Sequence, residues 1–313
     1  MKIGVIGTIN RDTIRLADGT MREGWGGILY NLVTLSALRQ SDDEIFPVCN
    51  IGKDCSAKIR KILKSLKGVN LGYIQVIEAK NNHCCLTYHE DGEKSEILFG
   101  GVPPLSLNDI LPLLDCDIIL VNFISGQDIS IDTLARFRRR FNGKFYIDIH
   151  SFTLGKRRDH SRFLRAPANW TALVDIGDYI QLNRMELALL VGKLVEGKSI
   201  SSLQADLHEF IIEVQRKEID LTGKVLLVTA GAAGAVSCRF SSNGRAVIKC
   251  HNAAPGSRIV DVTGAGDCFS AGFISAMSRQ LDLTKSVACA NEAARRRVSG
   301  SRIYTSISRG LKS

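Results

Sequence analysis

Seven consecutive residues late in the chain have the types and the spacing that phosphate chemistry needs. They read Asp261-Val262-Thr263-Gly264-Ala265-Gly266-Asp267, and a helix-compatible segment follows from Cys268. Glycines directly before a helix let backbone N–H groups converge on an anion at the helix N-terminus. A carboxylate at the same place lies beside the bound phosphate, where it can accept a proton from a hydroxyl. The alternative is an ordinary glycine-rich turn that caps a helix.

The whole string resembles the C-terminal signature of the PfkB carbohydrate kinases, the family of ribokinase, fructokinase and adenosine kinase. The resemblance implies an ATP-dependent kinase, with Asp267 as the general base. It also assigns an anion hole for the transferred phosphoryl to four backbone amides, those of Gly264, Ala265, Gly266 and Asp267. Asp261 and Thr263 match positions that help to build a monovalent-cation site in ribokinase, which makes K⁺ a candidate cofactor.

The segment Asn183-Arg184-Met185-Glu186 resembles the Asn-x-x-Glu motif of the same family. The resemblance places Asn183 and Glu186 near the ATP phosphates, where the glutamate holds water around Mg²⁺. An outer-shell carboxylate suits Mg²⁺ because this ion keeps several of its waters. The alternative is a helix with an asparagine cap and an acidic first turn, which has the same pattern.

Two further segments resemble parts of the family's nucleotide site. Thr229-Ala230-Gly231-Ala232-Ala233-Gly234 is similar to the Thr-x-Gly-x-x-Gly turn that borders the ATP phosphates and ribose. This implies nucleotide contacts for Thr229, Gly231 and Gly234, although a simple glycine turn between strands has the same pattern. Asn291 matches the family helix that lies beside adenine.

Two polar residues follow the first predicted strand and are candidates for the acceptor site. Asn10 and Asp12 match positions where the family hydrogen-bonds sugar hydroxyls. Short polar groups after a buried strand suit a polyol, which needs paired donors and acceptors. The alternative for Asp12 is an ordinary loop carboxylate.

The segment Gly26-Gly27-Ile28-Leu29-Tyr30-Asn31 resembles the family's first signature, Gly-Gly-x-x-x-Asn. The resemblance implies that Gly26 and Gly27 allow a substrate to approach closely and that Asn31 reaches it from the first helical turn. The bulky Leu29 and Tyr30 depart from the small residues usual there. We therefore expect a pocket that differs from that of ribokinase.

Short apolar runs alternate with segments of helical period along the chain, which is typical of an α/β sheet with crossover helices. The main expected elements are strands at Lys2–Ile9, Asp117–Val121, Lys144–Ile149, Tyr179–Leu182 and Lys224–Thr229, with helices at Ile28–Leu38, near Ser130–Phe141, from Arg184 and after Ser202. The sequence thus predicts one ribokinase-like α/β domain over residues 1–313, with a mainly parallel central sheet flanked by helices.

The segment Leu71–Gly101 breaks this alternation. Leu71–Ile77, Cys84–His89 and Ser95–Phe99 resemble strands joined by turns. One interpretation is a small β-rich lid, formed by parts of 10–26 and 71–101, that closes over the acceptor and supports a homodimer. The other is a β-meander that extends the main sheet.

Composition limits the other classes of function. The 313 residues are 45% hydrophobic and 23% charged, as in ordinary globular proteins. The apolar start is too short for a signal peptide, and no apolar run is long enough for a membrane helix, so we expect a cytoplasmic protein with no membrane partner. The nine cysteines are scattered and include no CxxC pair, which disfavours zinc and a disulfide framework.

The formal net charge of +9 is compatible with nucleic acid or with phosphorylated ligands. The basic residues are dispersed except in two clusters, Lys156 to Arg165 and Arg295 to Arg297, and no nucleic-acid-binding motif occurs. We therefore expect a small-molecule substrate and no nucleic acid. The cluster Lys156 to Arg165 is either a solvated face or a phosphate contact.

These observations predict an ATP- and Mg²⁺-dependent phosphotransferase that acts on an alcohol group, with a sugar or related polyol as the favoured acceptor. A nucleoside and a phosphosugar remain alternatives. A ligand-sensing protein that has lost catalysis on the same fold is a further alternative, because fold alone does not establish activity.

Overall fold

The computed structural model describes residues 1–90, 94–193, 200–253 and 259–304. The strands in chain order are β1 (Lys2–Ile6), β2 (Ile9–Arg15), β3 (Met21–Gly27), β4 (Glu44–Gly52), β5 (Ile74–Ile77), β6 (His83–Tyr88), β7 (Lys94–Phe99), β8 (Ile118–Asn122), β9 (Lys144–Asp148), β10 (Leu154–Lys156), β11 (Arg162–Leu164), β12 (Tyr179–Asn183), β13 (Val225–Thr229), β14 (Ala235–Phe240) and β15 (Ala246–His251). The α-helices are α1 (Ile28–Leu38), α2 (Lys53–Lys64), α3 (Leu107–Ile110), α4 (Ile131–Arg138), α5 (Thr171–Ile176), α6 (Arg184–Leu190), α7 (Ile200–Arg216), α8 (Ala265–Ser278) and α9 (Leu283–Val298).

A large sheet forms the centre of the fold, with its strands in the spatial order β15-β14-β13-β12-β9-β8-β1-β4-β5. From β13 to β5 each strand is parallel to its neighbour, and β14 and β15 complete one edge in antiparallel pairing. Parallel strands require crossover helices, which then cover both faces of the sheet. The predicted mainly parallel α/β sheet is confirmed.

Apolar side chains fill both faces of this sheet. One cluster holds Phe137 of α4, Leu187 of α6 and Phe210 of α7. The opposite cluster includes Leu32 of α1 and Phe269 of α8. Helix α1 is apolar on nearly all sides because it lies between the sheet and α8, and its residues from Ile28 to Leu35 are buried. The two helices that carry the phosphate-site and acceptor-site signatures, α8 and α1, therefore pack against each other on the same face.

A smaller sheet, in the order β3-β2-β6-β7, stands apart from the large one. Its central strands β2 and β6 are parallel, and the outer pairs are antiparallel. Successive residues of a strand point to opposite faces, so alternate residues share one face. Ile14, Cys84, Leu86 and Leu98 share one face and form a small buried apolar cluster on it.

The predicted β-rich segment divides between the two sheets. Strand β5 pairs in parallel with β4 and so extends the large sheet, whereas β6 and β7 belong to the small one. The turn between β6 and β7 includes residues 91–93, which lie outside the described residues. The first predicted strand also divides, since Lys2–Ile9 becomes β1 and the start of β2. None of the helices in the described ranges combines the length and the apolar character needed to cross a lipid bilayer.

Candidate functional site

The phosphate-chemistry string forms the loop and the first turn of helix α8. Gly264 precedes the helix with a φ of 79°, in the left-handed region that glycine adopts at little cost. A Cβ on this residue would also lie 2.6 Å from the Tyr30 ring. The amide of Ala265 donates to the Val262 carbonyl, and no described residue accepts from the amides of Gly266 and Asp267. The start of α8 thus presents two N–H groups without a described acceptor, whereas the resemblance assigned four amides to the anion hole, including that of Ala265.

Asp267 lies in this first turn and is 4% exposed. Its Oδ1 accepts a 2.8 Å hydrogen bond from Nδ2 of Asn122, at the carboxyl end of β8. Burial raises the pKa of the Asp267 carboxyl, while His150 and the hydrogen bond from Asn122 act in the opposite direction. A positioned carboxylate with a raised pKa can act as a general base near neutral pH.

Asn31 of α1 connects Asp267 and Asn122 through hydrogen bonds. It is fully buried, and its Nδ2 donates to the backbone carbonyl of Asp267 at 2.8 Å and to Oγ of Ser270 at 2.9 Å. Its Oδ1 accepts from Asn122 at 3.1 Å. Asn31 lines neither of the cavities described below, so in this conformation the residue expected to reach the acceptor orients the start of α8.

Two more buried carboxylates lie near Asp267. Burial raises the pKa of Glu186 to about 8, against the amide of Asn183, which donates to this carboxylate and lowers it. Burial, with the nearby charges of Glu186 and Asp267, raises the pKa of Asp148 well above its ordinary value. Nε2 of Gln181 donates a hydrogen bond to Oδ2 of Asp148 at 2.8 Å. The three carboxylates make this part of the site strongly electronegative.

Asp148 and Asn122 were not among the predicted site residues. Both end parallel strands of the large sheet and are register partners across β8 and β9. Ligands of open α/β sheets bind outside the carboxyl ends of such strands, so the position of both residues at the ends of predicted strands was the available signal. Asn183 and Thr229, which were predicted, are register partners at the same edge.

A cavity of about 410 Å³ opens between the small sheet and the start of α8. Its lining includes most of the predicted acceptor-side and catalytic residues, namely Asn10, Asp12, Gly27, Gly264, Ala265, Gly266 and Asp267. It also includes Asn183 and Thr229, which were predicted as nucleotide contacts, and Thr263, which was predicted as a cation ligand. Gly26 lies behind Asp12, and a Cβ on it would collide with the Asp12 carboxylate. The glycine of the signature therefore makes room for the carboxylate that reaches the cavity.

The side of this cavity formed by the small sheet carries charge. Asp12 is 6% exposed, and burial, followed by the charges of Glu96 and Asp267, raises its pKa well above the ordinary value. Lys94 lies 3.6 Å from Glu96 and lowers the pKa of Asp12. Carboxylates thus outnumber ammonium groups at this wall.

His150 also lines the acceptor cavity, directly after β9. Its φ of 38° is uncommon for a residue with a side chain. Its Nδ1 lies 2.8 Å from Oγ of Ser151. The backbone conformation places the imidazole at the cavity wall, and no sequence pattern predicted this.

A second cavity, of about 730 Å³, lies on the other side of the start of α8. Thr229, Gly231, Gly234 and Asn291, all predicted nucleotide contacts, line it, together with apolar residues that include Phe269. Asn291 Nδ2 donates to the Asn252 carbonyl at 3.0 Å, which fixes its side chain. Four residues line both cavities, namely Thr229, Val262, Ala265 and Gly266. The two cavities therefore meet at the residues before Asp267.

Of the candidates for cation binding, Glu186 and Asp261 line neither cavity. The Asp261 carboxylate is engaged by Arg297, whose Nη2 donates to it at 2.6 Å, and by the amide of Thr263 at 2.9 Å. Burial raises the pKa of Asp261, but Arg297 and the Thr263 amide outweigh this and hold it below its ordinary value. No group of three metal-ligating side chains occurs among the described residues.

The basic cluster Lys156 to Arg165 forms the β10–β11 hairpin beside β7. Arg162 donates to the carbonyls of Ser125, Ser151 and Leu154 at 2.8 to 3.4 Å, so it stabilises neighbouring backbone. Arg157 lies over the Phe163 ring at 4.6 Å. Neither residue lines the acceptor cavity.

The fold and the site together define a ribokinase-like protein. The family model described as "pfkB family carbohydrate kinase" matches residues 157–308, which include the whole α8 signature. This part of the chain thus resembles the PfkB carbohydrate kinases, in agreement with the resemblance seen in the sequence. Comparison with curated proteins finds no match.

Solved structures of this fold superpose over nearly the entire chain. Arabidopsis thaliana ribokinase, complexed with ribose and ATP, is 20% identical, with a TM-score of 0.71 over 100% of this chain and 99% of its own. The nucleoside kinase of Burkholderia thailandensis, in complex with inosine, is 16% identical, with a TM-score of 0.70 over 98% and 94%. A pyrophosphate-dependent kinase of the ribokinase family, complexed with a pyrophosphate analog and myo-inositol, is 14% identical, with a TM-score of 0.73 over 95% of each chain. At these identities the likeness shows the fold alone.

Proposed function

We propose that this protein transfers the terminal phosphoryl group of MgATP to a hydroxyl of a sugar or related polyol, with Asp267 as the general base. One observation carries the proposal. The buried Asp267 carboxylate lines the acceptor cavity next to Gly266, a residue that both cavities share, in a helix turn whose amides of Gly266 and Asp267 have no described acceptor. A donor phosphate and an acceptor hydroxyl can therefore meet at one base and one set of N–H donors.

Asp267 removes the proton as the acceptor oxygen attacks phosphorus. Its raised pKa brings it closer to neutral pH, where a base both remains ionised and accepts a proton readily. Asn122 and Asn31 hold its carboxylate and its backbone. The amides at the start of α8 and the positive end of the helix stabilise charge on the transferring phosphoryl oxygens.

The carboxylates beside this turn fit a hydrated Mg²⁺. Glu186 and Asp148 are buried and their pKa values are raised. The described residues around them therefore do not supply enough positive charge to balance two ionised carboxylates. Glu186 would hold Mg²⁺ through water, and Asp148 lies on the same side of the site. When bound, the ion would neutralise charge on the donor phosphates.

The donor cavity favours a nucleotide over pyrophosphate. Alanine, valine and phenylalanine side chains dominate its lining, and such surface suits an adenine ring and not a small, highly charged anion. Thr229, Gly231 and Gly234 line this cavity and would border the ribose and the phosphates. Asn291 would border the base. Pyrophosphate is nevertheless the donor to test against ATP, because a kinase of this fold uses it.

The charge of the acceptor cavity favours a neutral polyol over a phosphosugar. Asp12 and Glu96 face the cavity with Lys94 as the nearby ammonium group, so this wall has no excess of positive charge with which to bind a phosphate. Asn10 and Asp12 supply the paired acceptors and donors that hydroxyls require. A nucleoside remains the second candidate, since Tyr88 lines the cavity and could stack on a base.

We further propose that the small sheet acts as a lid. The cavity wall includes residues of this sheet, among them Asp12, Cys84, Leu86 and Glu96. Closure of the sheet over the cavity would exclude water, which competes with the acceptor. A homodimer through this sheet is a separate proposal. Light scattering that gives the mass of a monomer would overturn the dimer and leave the lid intact.

The experiment is a panel of acceptors incubated with MgATP or with pyrophosphate, with product detected by mass spectrometry. The panel pairs each sugar with its phosphate ester and includes nucleosides, and Asp267→Asn serves as the inactive control. We expect phosphorylation of a neutral sugar or polyol with ATP. A phosphosugar product would overturn the charge argument. Ligand binding without any phosphorylated product would favour the sensing alternative.

A further inference from the structure

Arg297, near the end of α9, is a buried cation that the predicted chemistry does not use. It is 3% exposed. Its Nη2 donates to Asp261 at 2.6 Å and to the Tyr30 hydroxyl at 3.2 Å. Its guanidinium lies over the Tyr30 ring at 4.8 Å and the Tyr304 ring at 5.9 Å. A guanidinium held by a carboxylate and two ring faces is fixed in one place.

This guanidinium holds both sides of the loop that leads to the unbonded amides. On one side, Asp261 accepts from the amide of Thr263, which fixes the first half of the loop. On the other side, the Tyr30 ring lies so close to Gly264 that a Cβ there would be 2.6 Å from it. Because Arg297 bonds to both Asp261 and Tyr30, one charge connects the two contacts.

Asp261 is also the residue that the sequence analysis named as a possible ligand of a monovalent cation. The contacts around its carboxylate do not fit such an ion. One Asp261 oxygen accepts from Arg297 and the other from the Thr263 amide. A second cation at this carboxylate would lie beside a buried guanidinium, and like charges repel strongly where water is scarce. The Thr263 hydroxyl has no hydrogen-bond partner among the described residues, and Thr263 lines the acceptor cavity.

We propose that Arg297 takes the place of a monovalent cation, holding the 261–264 loop in its anion-binding form, so that the protein needs no K⁺. Arg297 is thus a positioning residue that acts through Asp261 and Tyr30. The measurements of phosphorylation rate that test this inference rest on the proposed function. The binding and stability readouts are independent of that function.

The first test uses the unmodified protein in potassium chloride and in tetramethylammonium chloride at equal ionic strength. We expect the same melting temperature, the same MgATP affinity by calorimetry and the same phosphorylation rate in both salts. Selective stabilisation or activation by K⁺ would overturn the proposal. If no acceptor is phosphorylated at all, the proposed function fails, while melting and MgATP binding still decide whether K⁺ acts.

The second test compares Arg297→Ala with Arg297→Lys, and uses Arg296→Ala as the control. Arg296 is the exposed neighbour on the same helix, paired with Glu292 at 2.8 Å. Losing the charged contacts should lower kcat by roughly ten- to a hundredfold in Arg297→Ala. Potassium but not tetramethylammonium should restore part of it, because the emptied space beside Asp261 then accepts an ion.

Arg297→Lys keeps the charge but loses the planar fork, so we expect an intermediate rate. Full activity of Arg297→Ala without K⁺ would contradict the proposal. A low rate that no monovalent cation changes would show that the guanidinium serves packing alone. If Arg297→Ala does not fold, Arg297→Lys and the salt comparison on the unmodified protein still test the proposal.

Discussion

The side-chain amide of Asn122 donates a 2.8 Å hydrogen bond to the carboxylate of Asp267. The two residues are far apart in sequence and come from different elements, the end of β8 and the first turn of α8. A second buried amide, Asn31, bonds to both. The orientation of the proposed base therefore depends on two asparagines that do not themselves react.

The first prediction concerns Asn122→Ala and the pH dependence of the rate. A hydrogen bond to an ionised carboxylate lowers its pKa, so removing this one should raise the pKa of Asp267 further. The base must be ionised to act, so kcat/KM falls as pH decreases through this pKa. We expect the acidic limb of the pH–rate profile to move to higher pH in the variant.

Other charged groups near Asp267 stay in place in this variant, namely Asp12, Asp148, Glu186, His150 and Arg297. Asn50→Ala is the matched control, because Asn50 is a buried strand residue that donates to the Pro103 carbonyl and lines neither cavity. An acidic limb that stays at the same pH in Asn122→Ala would contradict the proposed role of this hydrogen bond.

The second prediction concerns Asp12→Ala and the acceptor. Asp12 lines the acceptor cavity and is absent from the lining of the donor cavity. Losing its hydrogen bonds to the acceptor should cost about 1–3 kcal/mol, seen as a higher acceptor KM or a lower kcat/KM. The dissociation constant of MgATP, measured by calorimetry, should change little. Equal weakening of both ligands would mean that Asp12 does not belong to the acceptor side alone.

Much of the fold follows from local sequence patterns. Helix α1 has the predicted bounds Ile28–Leu38, because a long apolar run between polar and glycine residues fits only a buried helix. The division of the β-rich segment was not predictable. Strand β5 joins the large sheet and β6 the small one through long-range pairings, with β4 and β2 respectively, which local sequence does not encode.

The site was predictable where residues adjacent in sequence act together. The residues from Gly264 to Asp267 form one helix turn, so a sequence motif is enough to propose them as an anion site. Asn122 of β8 contacts Asp267 in that turn, and Arg297 of α9 contacts Asp261 in the loop before it, only because these elements fold against each other. Each is a common residue in an unremarkable segment, and only the packing gives it a partner.

The third prediction concerns Glu186→Gln and stability without Mg²⁺. The folded protein raises the pKa of Glu186 from 4.5 to about 8, so between these values it binds a proton that the unfolded chain has lost. The stabilisation from this group is complete below the lower value and is lost as pH rises through the upper one. Between the two pKa values, the contribution of Glu186 to the free energy of unfolding falls by up to about 1.4 kcal/mol per pH unit.

Glutamine does not titrate, and its single side-chain oxygen can still accept from the Asn183 amide. In EDTA, we expect Glu186→Gln to melt at a higher temperature than the unmodified protein near pH 8, with the difference shrinking toward pH 5. Thermal melts across this range measure it, and the exposed Glu44→Gln is the control. Equal pH dependence of melting in Glu186→Gln and the unmodified protein would contradict the raised pKa.

The last prediction concerns Asp267→Asn, which separates chemistry from binding. Asparagine is nearly isosteric, so its side-chain oxygen can still accept from Asn122, and the backbone contact with Asn31 remains. It cannot take up the hydroxyl proton, so kcat should fall by roughly 10²–10⁴. MgATP affinity should hold or increase slightly, because a negative charge near the terminal phosphate is gone. Asp128→Asn is the matched control, since Asp128 is buried, accepts from Ser125 and lines neither cavity. A near-normal kcat in Asp267→Asn on the true acceptor would overturn the base assignment. The proposal assigns Glu186 and Asp148 to Mg²⁺, so neither of them would replace Asp267 as the base.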